Sequence, residues 1–422
     1  MSMLIDKFNE KMSKIKDKTV NQDAEFDVMY STGFLHIDYL NGTVIHVEDE
    51  KNNRSFSYNS CGIVDGSTNT VIGRSGSGKS TLITQIAGAI VRPFIKEGKN
   101  SEIFIDDIEG SLPEGRKSYL LKLNAKDLKN HTKFRNKGIN TQNVYQRIQA
   151  IHDTKIENPK EYKYDTGLYD LEGNRIFKFV PTVYLIDSLP MLLPKDLLDE
   201  EELGGSMSAS SIAKVNTQLL KKISQLCKES NIILFTVNHI LDDIQMGFIP
   251  KPVQIAGLKQ GERLPGGKAA IYLANNMFRV DDSKLLKKDK DYGIDGSIVT
   301  LTIIKSRTNA NRRSIPLVFD KDDGRFNEAL SYFELLNQEG LISGTGVGMF
   351  FDELPNIKFS KKNFESTVKA NKELNTVFMK KLHDLLITYL SDTKVIEYDE
   401  DIFIDSMVDT FNSFNDPIPD AA

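Results

Sequence analysis

The nine residues Gly73-Arg74-Ser75-Gly76-Ser77-Gly78-Lys79-Ser80-Thr81 constrain this chain more than any other stretch. Apolar Thr70-Val71-Ile72 precedes them and apolar Leu82-Ile83-Thr84-Gln85-Ile86-Ala87 follows, which predicts a strand, a tight glycine turn and a helix. The spacing fits G-x-x-x-x-G-K-[ST], the phosphate loop. Inward backbone N–H groups and a helix N-terminus make an anion cradle. Glycine supplies the positive φ and the close approach that such a turn needs. Gly73, Ser75, Gly76, Ser77, Gly78 and Thr81 would form the cradle, Lys79 would reach the β- and γ-phosphates, and Ser80 would place its hydroxyl on Mg²⁺.

A chain of 422 residues can hold one large core with appendages, or two to three domains. No apolar stretch approaches the roughly 20 residues of a membrane helix, and residues 1–7 carry charge where a signal peptide would be apolar. Two cysteines, Cys61 and Cys227, cannot build a disulfide framework and imply a reducing, cytoplasmic setting. Cys227 falls in helical apolar spacing, as a packed thiol would. The net charge of -5 does not exclude nucleic acid, because binding depends on local patches. Lys and Arg are dense in 111–138 and 305–313, and acids collect after Asp392.

Residues 1–20 read as an amphipathic helix with Leu4, Phe8, Met12 and Ile15 on one face. A helix this short is marginal alone and needs something to dock on. Residues 43–60 alternate as strands about a polar turn, and 162–180 reads as a hairpin turning at Glu172-Gly173-Asn174. Residues 112–155 read as helical and basic. Buried strands are expected at 102–106, 183–187 and 232–239, with a helix over 208–229 and further strands at 270–281 and 298–305. Buried strands alternating with helices predict an α/β core with a mostly parallel sheet. From Arg325 the pattern turns helical. The expected organisation is an N-terminal helix and linker (1–28), a core (29–324), a small C-terminal α/β domain (325–391) and an acidic tail (392–422).

A phosphate loop needs a second acid for hydrated Mg²⁺, and Asp187, closing the strand Val183-Tyr184-Leu185-Ile186, is the candidate. Hydrolysis also needs a carboxylate to orient or activate water, and either Glu109 or Asp107 could serve. His239 ends the strand after Asp187; it could sense a γ-phosphate and relay that state onward, or it could be a satisfied core histidine. Lys305 and Arg307 alternate to one side of a strand end. Two cations there need an anion, such as a phosphate in cis or from an adjacent subunit; a surface ion pair is the plainer alternative. The segment Leu203-Gly204-Gly205-Ser206-Met207 precedes a helix. The long stretch 241–269 carries Lys251, Lys259, Arg263, Gly266, Gly267 and Lys268, which suit contact with a phosphate backbone.

The order of these motifs resembles the RecA family of recombinases, most closely the UvsX-type enzymes of large bacteriophages. Ser31-Thr32-Gly33-Phe34-Leu35-His36-Ile37-Asp38 resembles the family's segment before the phosphate loop, and 183–189 its second nucleotide motif. The stretch 203–207 resembles the first DNA-binding loop. Asn238-His239 and Leu264-Pro265-Gly266-Gly267 resemble the ends of the second, and Lys305-Ser306-Arg307-Thr308 is similar to the paired cations that reach a neighbour's ATP. The resemblance implies a DNA-dependent ATPase with a RecA-like core. It would form a helical filament on single-stranded DNA and exchange strands with double-stranded DNA in homologous recombination and DNA repair. It also implies ATP and Mg²⁺ at the subunit interface, with Lys79, Ser80, Asp187 and Glu109 from one copy and Lys305 and Arg307 from the next. Mediator and single-strand-binding proteins are the implied further partners, and no membrane is involved. The sequence departs from the family in the one-residue offset of Glu109, in His239 where many members have glutamine, and in the apparent insertions 43–60 and 162–180. A hexameric replicative helicase, or a non-catalytic ATP- and DNA-binding mediator, is the competing reading. A transporter ATPase is excluded by motif order, since Ser188 rather than a glutamate follows Asp187.

Overall fold

A computed structural model describes residues 27–49, 54–170, 173–199, 209–243, 257–265, 269–288, 292–309 and 313–390. The expected N-terminal helix, the segment 203–207 and the acidic tail lie outside them. The protein is α/β. Nine strands form the central sheet: β1 Thr68–Gly73, β2 Glu102–Asp107, β3 Thr132–Arg135, β4 Thr182–Asp187, β5 Ile232–His239, β6 Asn276–Leu286, β7 Gly296–Lys305, β8 Ser314–Asp320 and β9 Arg325–Asn327. Their spatial order is β9-β8-β7-β6-β1-β5-β4-β2-β3. All pairs from β6 to β3 are parallel, and β6 through β9 pair antiparallel.

Alternation along the strands explains the layering. On β4 and β5, Val183, Leu185, Ile233, Phe235 and Val237 join one apolar cluster with Ile83, Ile86 and Ile90 of helix α1 (Lys79–Lys96). Tyr184, Ile186, Ile232 and Leu234 join a second with Val144 and Ile148 of α2 (Thr141–Glu157) and Leu220, Ile223 and Cys227 of α3 (Ala209–Ser230). Successive residues point to opposite faces, so continuous apolar runs require helices on both. Truncating one such side chain to Ala costs about 2–5 kcal/mol.

Three expectations change. Residues 112–155 contain a strand, β3, whose four residues are too short to show period two between two helical patterns. Residues 269–273 form a short helix rather than the start of a strand; an apolar run of that length carries no periodicity that separates the two. Arg325–Asn327 hydrogen-bonds to β8, so the sheet runs past residue 324. Beyond it, α4 (Glu328–Gln338) and α5 (Lys372–Ile387) pack into the same core, and the described part of 328–390 holds helices and isolated bridges only. The expected strand pairs are present, 43–49 with 54–60 and 163–169 with 175–179, and they touch each other, Phe56 edge-on to Tyr169 at 5.9 Å. Of the basic stretch 111–138, Lys117 lies over the Phe134 ring at 4.0 Å and Lys122 beside Glu328 at 3.7 Å, whereas Lys126, Lys129, Lys133, Arg135 and Lys137 are exposed.

Asp38 organises the segment before β1. Its carboxylate accepts from the Ser31 and Thr32 hydroxyls, both at 2.5 Å, and from the Thr32 amide at 2.8 Å. Burial pushes its carboxyl up to about 6, against the opposing pull of those three donors. A carboxyl raised in the folded state favours folding below its unfolded value and loses that advantage as pH rises through the folded one. Asp38→Asn should therefore abolish a fall in stability of up to about 3 kcal/mol between pH 4 and 6. Denaturant melts of both proteins at the two pH values check it; parallel pH profiles would refute the assignment.

Candidate functional site

Residues 74–78 leave β1 at its C-terminal end and turn directly into α1. Gly78 is the N-cap of α1, with φ 84. A Cβ there would stand 2.7 Å from Phe326 Cζ, so both conformation and space demand glycine. At Gly73 a Cβ would meet the Val280 carbonyl at 2.4 Å, which lets β6 lie close beside the turn. Lys79 is buried, and its ammonium donates to the Arg74 carbonyl at 2.6 Å. Burial lowers its pKa, while Asp187, Glu109 and Asp282 oppose that shift.

Strand order assembles the rest. β5 lies beside β1 with His239 level with Gly73; β4 lies beside β5; and β2 lies beside β4 with Asp107 level with Asp187. The C-terminal ends of four adjacent parallel strands thus bring Lys79, His239, Asp187 and Glu109 to one edge, the place where open α/β sheets bind ligands. The backbone after β2 is stitched to β4 by Ile108 and Glu109 amides donating to the Asp187 carbonyl at 2.6 and 3.3 Å. The Asp187-Ser188 peptide is cis.

The three acids at the end of β2 have separate environments. Asp106 faces away from the edge and is held by Arg147 at 2.6 Å and by the Tyr184 hydroxyl at 2.5 Å. Asp107 accepts the amides of Ser111 and Leu112 at 2.9 and 3.0 Å, so both its oxygens fasten the turn. Glu109 alone projects into the edge, where Oε1 accepts from His239 Nε2 at 2.7 Å and from the Ser188 hydroxyl. Between the two candidate acids, the free geometry belongs to Glu109, and His239 is its partner rather than a core histidine.

Asp187 fits a metal role. Its Oδ1 is buried with no hydrogen-bond partner, and Oδ2 accepts from the Ser111 hydroxyl at 3.2 Å. Its pKa is raised, first by burial; the Ser80 hydroxyl opposes this, and nearby Glu109 and Asp107 add to it. An orphaned carboxylate oxygen beside a serine hydroxyl suits Mg²⁺, which takes one or two protein oxygens and completes its shell with water and phosphate. Ser77 Oγ is likewise buried without a partner in the turn.

Lys305 and Arg307 are brought together, but elsewhere. Lys305 pairs with Met277, which pairs with Thr70, so it lies two strands from β1 and level with its middle, three residues before the turn. Lys305 Nζ donates to the Ile271 and Tyr272 carbonyls at 2.9 and 2.8 Å, and Arg307 donates to Tyr272 at 3.3 Å. Among the described residues no carboxylate pairs with either, and the Ile271 and Tyr272 carbonyls are the partners they have there.

Of the residues expected to meet DNA, Lys259 and Arg263 are described and both are exposed. Gly204, Gly205, Ser206, Met207, Lys251, Gly266, Gly267 and Lys268 lie outside the described residues. The stem carrying Lys259 and Arg263 pairs Leu241 with Arg263 and Asp242 with Glu262. It is clamped to β6 by buried Arg279, which donates to Glu262 at 2.6 and 2.9 Å and to the Gly257 carbonyl at 2.8 Å. Sequence reasoning missed Ser111 and Ser188; Ser188 directly follows Asp187, and that adjacency was the available signal. It also missed Arg279, whose charge within an apolar strand flags a buried pair. No protein-family model matches this chain, and no curated protein does either.

Proposed function

We propose that this chain is an ATP-dependent recombinase of the RecA type, akin to the UvsX-type phage enzymes, that polymerises on single-stranded DNA and exchanges strands with a homologous duplex. The carrying observation is a divided site. Lys79, Asp187, Glu109 and His239 share one edge of the sheet, whereas Lys305 lies two strands from β1, level with Thr70, and both cations are held at the Ile271 and Tyr272 carbonyls rather than at that edge. Two cations that meet no carboxylate among the described residues can be completed by an anion from outside the chain, and a neighbouring copy's triphosphate is such an anion.

In this reading the turn 73–81 binds the phosphates through backbone amides, and Lys79 supplies the cation for the transferred group. Ser80 and Asp187 would hold Mg²⁺, which would supply positive charge to neutralise the phosphates. Glu109 accepts the proton of the attacking water, and His239 and Ser188 hold its Oε1 so that the other oxygen faces that water. Lys305 and Arg307 of the next copy stabilise the developing negative charge, as cations in trans do. His239 ends β5 immediately before the stem that bears Lys259 and Arg263, so its contact with Glu109 links hydrolysis to the DNA-facing segment. Among the described residues no helix is long and apolar enough to cross a membrane.

The test is imaging of the protein on single-stranded DNA with ATP, together with ATPase assays with and without that DNA. Helical filaments and DNA-stimulated turnover are expected; closed rings would move the reading to a helicase, and no turnover in either condition would end the enzyme reading. Mixing Lys79→Ala with Arg307→Ala protein should restore turnover at about one interface in four, since a head-to-tail interface pairs different surfaces of the two copies. Single-strand affinity should fall with salt by about 0.7 log units per phosphate neutralised per tenfold change; a flat response in fluorescence anisotropy would count against backbone contact.

A further inference from the structure

Arg74 is the second residue of the phosphate loop, yet its side chain does not enter the cradle. The guanidinium turns outward to Asp242, Nη2 to Oδ1 at 2.6 Å and Nη1 to Oδ2 at 3.2 Å, in the two-pronged geometry that guanidinium also makes with phosphate. Both side chains are exposed, 57% for Arg74 and 69% for Asp242, so the pair is open to exchange. The Arg74 carbonyl meanwhile receives the Lys79 ammonium, which places the backbone of Arg74 at the phosphate end of the loop. The other charged groups acting on Arg74 are Glu262 and Arg279, of opposite sign.

We propose that Arg74 is a ligand for the terminal phosphate of a bound nucleoside triphosphate, held in reserve by Asp242, whose carboxylate occupies the guanidinium until the phosphate replaces it. This rests on the nucleotide reading above and adds to it a residue that discriminates triphosphate from diphosphate. Asp242 lies in the stem after β5, so transfer of Arg74 from carboxylate to phosphate also releases the stem from the phosphate loop. A diphosphate, ending one group short, leaves the Arg74–Asp242 pair in place.

The experiment measures dissociation constants of fluorescent adenosine triphosphate and diphosphate analogues for the wild-type, Lys79→Ala, Arg74→Ala, Asp242→Asn and doubly substituted Arg74→Ala/Asp242→Asn proteins, full-length and Mg²⁺-saturated. Arg74→Ala should weaken triphosphate binding about tenfold, the scale of one charge-assisted contact, and leave diphosphate binding unchanged. Asp242→Asn should tighten triphosphate binding about two- to fivefold, as expected for removal of an exposed competitor, and the double variant should match Arg74→Ala. Equal losses for both nucleotides, an unchanged Asp242→Asn constant, or additive effects would each overturn the proposal. Wild-type binding lost on Lys79→Ala keeps the nucleotide reading standing whatever Arg74 does; absence of wild-type binding removes both. Thermal melts of all four variants check that folding is intact; Arg74 and Asp242 are exposed, so substitutions there should leave the melting temperature unchanged.

Discussion

Replacing Lys79 with Ala is expected to lower nucleotide turnover at least about a hundredfold, the usual loss when one preorganised donor to a developing charge is removed. The structure explains why so large an effect should come from one side chain. Lys79 is the cation within the turn, buried there and acted on by Asp187, Glu109 and Asp282. A triphosphate brought to that edge without it would meet those three carboxylates with no buried cation in the turn to offset them. Burial, which lowers the Lys79 pKa in the free protein, is offset once phosphates arrive, because an adjacent anion favours the charged ammonium. Lys79→Arg is expected to bind nucleotide but turn over poorly, because a planar fork cannot occupy the point position of an ammonium. Steady-state phosphate release measured beside a thermal melt checks both variants. Turnover within twofold of wild type in folded Lys79→Ala protein would refute the central assignment.

How much of this was legible in the sequence depended on whether the information was local. The strand, glycine turn and helix around 68–96 were legible, because these pieces are contiguous. The two-faced burial of 182–187 and 232–239 was legible from uninterrupted apolar runs, which only a doubly covered sheet accommodates. The choice between Glu109 and Asp107 was not legible. Their environments differ through two amides of residues 111 and 112 that take up Asp107, and through His239, which is 130 positions away from Glu109. That pairing exists because β4 and β5 intervene between β2 and β1, and strand order is not written in any local pattern. Lys305 and Arg307 were correctly read as facing together. Their anchor, the carbonyl end of the helix 269–273, was hidden, because five residues are too few to display a helical period. β3 was hidden for the same reason at strand length.

The second large effect is expected from Glu109→Gln, which should cut turnover by about 10²- to 10⁴-fold, the range for loss of a positioned base, while nucleotide affinity stays within about twofold of wild type. Glutamine keeps an oxygen that accepts from His239 and Ser188, so the local geometry survives and only proton acceptance is lost. Asp107→Asn is the informative contrast. An amide there keeps one acceptor and presents a donor to an amide N–H, so the turn at 108–112 loses a contact and stability falls by about 1–3 kcal/mol, with turnover reduced far less than by Glu109→Gln. His239→Gln separates holding from chemistry: an amide at that position can still donate to Glu109, so basal turnover should be largely kept, whereas His239→Ala removes the donor and should lower both turnover and its stimulation by single-stranded DNA. Single-turnover hydrolysis with each variant, alongside denaturant melts, distinguishes these outcomes. If Asp107→Asn abolished turnover at unchanged stability while Glu109→Gln remained active, the roles assigned to the two acids would have to be exchanged. The contact between Glu109 and the end of β5 could then no longer be the proposed link between hydrolysis and the stem that follows β5.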